Sequence, residues 1–149
     1  MTCEDARTQP HLHALITLAF DRLATDLLQH WRKSGHESLT LSHFLNVLRF
    51  VSLDGVRPAR MAEQAGVSQQ AISLLIKELS ELGYVERGPD PTDRRAQVVR
   101  WSRKGEAAAR QTEQWFAERE LAWRSSVGDK AVDGAIATLA LIAHEESDR

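Results

Sequence analysis

The 149 residues are 42% apolar and 27% charged, ordinary material for a chain with a real core, and this excludes disorder over most of the length. There is no run of about 18 apolar residues, and the opening MTCEDARTQPHLH lacks the basic-then-apolar layout of a secretory leader, so no membrane partner and a cytoplasmic location are expected. A single cysteine, Cys3, cannot form an internal disulfide. The formal charge of −2 argues against a polyanionic partner until its distribution is considered. Residues 57–104 hold nine of the 19 Lys and Arg but six of the 21 Asp and Glu, so this segment carries +3 and the remainder −5. A basic reading segment on an acidic body is the expectation.

From Leu12, apolar residues recur every three or four positions through Leu15, Ile16, Ala19, Leu23, Leu27 and Trp31, the spacing of one face of a long helix closed by Gly35. Thr40 is placed to cap a second helix carrying Phe44, Val47, Leu48 and Val51 and stopping at Asp54-Gly55. Pro58 suits the first turn of a short third helix that ends at Gly66. Ser68 caps a fourth, terminated at Gly83. The period then changes: residues 84–87 and 97–101 read as strands, joined by the turn-rich GPDPTDRRA as a hairpin with a long charged tip. Ser102 caps a fifth helix, and after Gly128-Asp129 a sixth puts Val132, Ile136, Leu139 and Ala143 on one side.

A short helix, a glycine-containing turn and a second helix form the helix-turn-helix unit, whose second helix enters the DNA major groove. At roughly 100° per residue, Ile72, Leu75, Ile76, Leu79 and Leu82 share one side of the fourth helix. Gln70, Ser73, Leu74 and Lys77 share the other, and Ser68 and Gln69 open the helix beside them. Polar side chains there suit base edges, and the cation suits phosphate. Leu74 has two readings, a rim contact in the core or contact with a thymine methyl. On the hairpin tip, Arg94 and Arg95 are candidates for the narrow minor groove, with Asp90 and Asp93 holding those arginines and the turn. The apolar stripes on the terminal helices point to a two-fold dimer using Leu12, Leu15, Ile136 and Leu139.

The segment GVSQQAISLLIKELSELGYVERGPDPTDRRAQVVRWSRKG resembles the reading head of the MarR family of winged helix-turn-helix regulators. Asp93-Arg94-Arg95 matches the family's Asp-x-Arg wing signature, and Trp101-Ser102-Arg103-Lys104-Gly105 stands where a Leu-Thr-x-x-Gly helix start is usual. The resemblance implies a homodimer whose first and last helices interlock, and a ligand pocket between the dimer helices and the DNA-binding lobe. Leu74 departs from the arginine many members carry there, which bears on base preference.

The expected architecture is mainly α, with a two-stranded wing. Residues 1–9 form a flexible tail, residues 10–54 and 103–147 a helical dimerisation region, and residues 55–102 the winged helix-turn-helix lobe. The expected function is a sequence-specific regulator, a repressor at a pseudo-palindromic operator, released by a small aromatic or carboxylate effector. The competing reading is a winged-helix protein adaptor that never touches DNA. No cofactor, metal or catalytic residue is expected: His11-x-His13 on a helix would diverge, Cys3 sits beside two acids, and no G-x-S-x-G, phosphate loop or CxxC is present.

Overall fold

The computed structural model describes residues 10–93 and 95–144. The expected tail with Cys3, and Arg94 at the wing tip, lie outside the described residues. The chain divides into two compact units, the first running to Ala108 and the second starting at Ala109.

The first unit holds α1 (Leu12–Lys33), α2 (Leu41–Asn46), a 3-10 turn (Leu48–Phe50), α3 (Pro58–Ala65), α4 (Gln69–Glu81), β1 (Val85–Pro89), β2 (Gln97–Trp101) and the start of α5 (Arg103–Val127). Its core gathers Trp31 from α1, Val47, Met61 from α3, Ile72, Ile76 and Leu79 from α4, and Tyr84 and Val99 beside and within the wing, all fully buried. The apolar stripe of α1 is thus used unevenly, with Leu27 and Trp31 buried and Leu12, Leu15 and Leu18 left in solvent. Residues 10–54, expected with the helical region, share this unit with the lobe, and α2 packs on α3 and α4.

The second helix does not continue to Asp54-Gly55 as its apolar spacing suggests. Thr40 caps it through a capping box with His43, but Val47 leaves helical geometry at φ −130°, ψ −63°, and Val51 is extended. The reason is tertiary. Val56 exchanges both backbone hydrogen bonds with Val99 of β2, at 3.0 and 2.9 Å, so the chain must be extended before α3, and a helix running to Asp54 leaves no room for that bridge. The first strand also lies one residue later and runs further than expected, because Gly88 and Pro89 pair with Val98 and Gln97. Pro89 is tolerated there because β1 is an edge strand.

In the second unit, Arg124 of α5 reaches Glu120, Asp129 and Asp133 at 2.8, 3.3 and 2.8 Å, pinning the turn into α6 (Asp129–His144). Val132 of α6 is buried, whereas Ile136, Leu139, Leu141 and Ile142 are exposed.

Candidate nucleic-acid interface

The helix-turn-helix is α3, Gly66-Val67-Ser68, and α4. Pro58 occupies the first helical position of α3, where its missing N–H costs nothing. Gly66 takes φ +67°, a left-handed conformation open to glycine without a Cβ penalty, and the Val67 amide donates back to Ala62 O at 3.1 Å. Ser68 Oγ accepts the Ala71 amide at 3.2 Å, so its lone pair serves the N-cap. Met61 and Ala62 are buried on α3, and Ile72, Ile76 and Leu79 on α4, while Leu75 and Leu82 are half-buried. The opposite face of α4 presents Gln69, Gln70, Ser73, Leu74 and Lys77 to solvent. Leu74 is 57% exposed, so it does not pack at the rim of the core. Lys77 lies 3.8 Å from Glu81, with both side chains well exposed; a pair in that setting is weak and leaves the ammonium able to swing.

Side-chain bonds fix α4 to its neighbours at both ends of its second half. The Thr40 amide donates to His43 Nδ1 at 3.2 Å, and a backbone amide can only donate, so the imidazole proton sits on Nε2. From there it is directed at Glu78 Oε2, 3.1 Å away. His43 is buried and ties the start of α2 to the recognition helix. At the far end, Lys104 donates to Leu82 O at 2.8 Å with its ammonium 4.2 Å from the Tyr84 ring centroid. Ser102 Oγ donates to Gly83 O while accepting the Gly105 amide. Burial raises the Tyr84 pKa, keeping a neutral hydroxyl 2.9 Å from His36 Nδ1.

Among the described residues, Asp90 and Asp93 hold the wing tip through side-chain bonds. Asp90 Oδ2 accepts Arg57 Nε at 2.7 Å, and its Oδ1 accepts the amide and hydroxyl of Thr92 at 2.8 and 2.7 Å. These bonds, those from Thr92 foremost and then that from Arg57, hold its carboxyl well below the usual carboxylate range. Asp93 Oδ1 accepts the backbone amide of Arg95 at 3.0 Å, and its other oxygen lies 3.7 Å from Arg57 Nη2. Turn carboxylates satisfy nearby amides first, because those donors are local and fixed, and Arg57 arrives from the N-cap of α3 33 residues away. The Arg95 side chain is exposed and has no ion-pair partner among the described residues.

Sequence reasoning missed Arg57. The only local hint is that two carboxylates close together on the wing call for a counter-charge. The histidines also fall differently. His11 is the N-cap of α1 rather than part of the helix, so its ring stacks on His13 at 5.7 Å instead of diverging. Among the described residues, no group of three His, Cys, Asp or Glu is arranged to hold a metal ion. Leu12, Leu15, Ile136 and Leu139 are all exposed.

Residues 39–96 match the family model described as MarR family. An HTH-type transcriptional regulator of Mycobacterium tuberculosis is 28% identical over 131 residues, covering 85% of this chain and 90% of the relative; one from Mycobacterium leprae is 27% identical over the same coverage. Among solved structures, FabT from Streptococcus pneumoniae in complex with DNA has a TM-score of 0.77 at 14% identity, covering 89% of this chain and 92% of that one. CouR from Rhodococcus jostii bound to p-coumaroyl-CoA has a TM-score of 0.70 at 21% identity, covering 91% and 93%. CouR bound to a 23-mer DNA duplex has a TM-score of 0.69 at 24% identity, covering 90% and 93%. The segment 39–96 thus matches the MarR family model, the chain is similar along most of its length to HTH-type transcriptional regulators, and it shares a mainly helical fold with a two-stranded wing with the solved structures.

Proposed function

We propose that the chain is a sequence-specific DNA-binding repressor acting as a homodimer on a pseudo-palindromic operator. The observation that carries this is the solvent-facing side of α4, where Gln70, Ser73 and Leu74 stand free of the core, beside a wing whose Arg95 is exposed and has no ion-pair partner among the described residues. A helix of that surface chemistry matches what base edges offer in the major groove, and an arginine on a narrow turn matches the minor groove. FabT and CouR, which share the fold, are each solved on DNA. The dimer is supported by the apolar residues left in solvent. In the second unit, Trp123, Val127, Val132, Ile136 and Leu139 line an apolar cleft of about 300 Å³, and on α1, Leu12, Leu15, Leu18 and Phe20 are exposed. Apolar surface of that extent is a liability on a monomer.

A small aromatic or carboxylate effector that lowers DNA affinity completes the reading, as CouR with p-coumaroyl-CoA suggests by its fold. Such a ligand acts only through tighter binding to a DNA-incompetent conformation. The test of the core proposal is selection of binding sites from a random duplex pool, followed by affinity measurements between about 50 and 200 mM salt. Two half-sites about one helical turn apart, and affinity that falls steeply with salt, are expected. Absence of salt-dependent retention on any duplex would put the adaptor reading in its place.

A further inference from the structure

Between the wing tip and α3 the lobe is not packed. An open cleft of about 570 Å³ lies there, lined by Phe50, Arg57, Arg60, Gln64, Asp90 and Thr92. Side-chain packing therefore does not set how far the tip of the wing stands from the helix-turn-helix. What crosses the gap is Arg57. Its guanidinium is 2.7 Å from Asp90 Oδ2 and 3.7 Å from Asp93 Oδ2, and Asp90 is 6% exposed. From Asp93 the connection continues to the backbone amide of Arg95 at 3.0 Å. The tip itself is closed by Asp90 N to Ala96 O, Asp93 N to Asp90 O and Ala96 N to Asp93 O, at 3.0, 3.3 and 2.9 Å. A planar, two-pronged guanidinium can hold two carboxylates in a fixed relation, which an ammonium cannot. The same cation also offsets two negative charges that otherwise face phosphate.

We propose that Arg57 is the positioning residue of the wing: by gripping Asp90 and Asp93 from the start of α3, it sets where Arg95 is presented relative to α4. Arg57 acts through the wing rather than by touching DNA. This rests on the DNA-binding reading above, and two effects of the clamp, charge and geometry, can be separated because they have opposite signs for one variant. Asp90→Asn removes a negative charge near DNA, so electrostatics alone makes binding tighter. Loss of the clamp lets the tip swing into the cleft and makes binding weaker.

The experiment is a double-mutant cycle on a selected operator duplex, with wild type, Asp90→Asn, Arg95→Ala and the double variant compared by fluorescence anisotropy. In the wild-type background Arg95→Ala is expected to weaken binding about tenfold, the scale of one charge-assisted contact. Asp90→Asn is expected to weaken binding despite the negative charge it removes, and in that background Arg95→Ala should cost no more than about twofold. Arg57→Lys, which keeps the net charge but not the fork, should weaken binding in the same direction and carries the test if Asp90→Asn fails to fold. If Asp90→Asn and Arg57→Lys bind as tightly as wild type or tighter, with the full Arg95 cost retained, the clamp proposal is overturned and the DNA reading stands. If wild type shows no salt-dependent binding to any duplex, the DNA reading falls and takes the proposal with it.

Discussion

Leu74→Ala tests the outer face of α4 with a readout that a change in folding cannot imitate. Complete burial of a leucine side chain is worth about 1.5–3 kcal/mol. Because 57% of Leu74 is still exposed, covering the remainder on DNA can contribute at most about 0.9–1.7 kcal/mol per half-site. That is a loss of about 4- to 18-fold per half-site for the alanine variant. If the apolar partner is a thymine methyl, replacing the contacted thymine by uracil removes one methyl, worth about 0.8 kcal/mol or roughly fourfold, from the wild type. Uracil should leave Leu74→Ala almost unaffected, since the leucine that touched the methyl is gone. The assay is anisotropy titration of both proteins against operators substituted one thymine at a time. Thermal stability should hold or rise slightly, because alanine is the better helix former and no core contact is lost. Uracil scanning without effect on wild type at any position, or equal losses in both proteins, would refute the methyl contact and leave Leu74 as an incidental surface residue.

Gln70→Ala should cost about 1–3 kcal/mol on the selected operator and much less on unrelated DNA, whereas Arg95→Ala should weaken all DNA and reduce the salt slope by about one; parallel titrations on both duplexes check this, and the reverse pattern contradicts it. Ile136→Asp, on the exposed side of α6, should convert a dimeric mass to a monomeric one by light scattering at micromolar concentration, and a monomeric wild type would remove the dimer. Gly105→Ala places a Cβ against the Tyr84 carbonyl oxygen and the Trp101 ring, so it should destabilise the fold by about 1–3 kcal/mol in urea titrations; an unchanged midpoint would mean that the start of α5 shifts freely. Asp90 has its pKa depressed in the folded state, so its bonds stabilise above the unfolded value of about 4 and are lost as the pH falls through the folded one. The stability gap between wild type and Asp90→Asn should therefore be flat from about pH 6 to 8 and shrink only in strong acid; a gap that closes near neutrality would contradict the assignment.

Much of the lobe was legible in the sequence because its signals are local. Pro58, Gly66, Ser68 and Gly83 each act on the turn they occupy, and the spacing of Ile72, Ile76 and Leu79 names the buried side of α4 whatever covers it. The exposed side, with Gln70, Ser73, Leu74 and Lys77, follows from the same wheel. What the sequence could not show are the relations between residues far apart along the chain. The apolar spacing of Val47, Leu48 and Val51 is as good for a helix as any in the protein, yet the helix breaks there because Val56 must reach Val99 across 43 positions. Likewise Asp90 and Asp93 have arginines close by in the chain, and nothing in the sequence hints that, among the described residues, their carboxylates also take the amides of Thr92 and Arg95 and a cation from a distant segment. That cation is Arg57, and its arrival is decided by the packing that brings the N-terminus of α3 beside the wing. Local rules thus determined the helices, the caps and the reading face, and only tertiary structure decided the strand that ends α2 and the ion pairs that hold the wing, because hydrogen bonds and ion pairs between distant segments leave no periodic trace in the sequence.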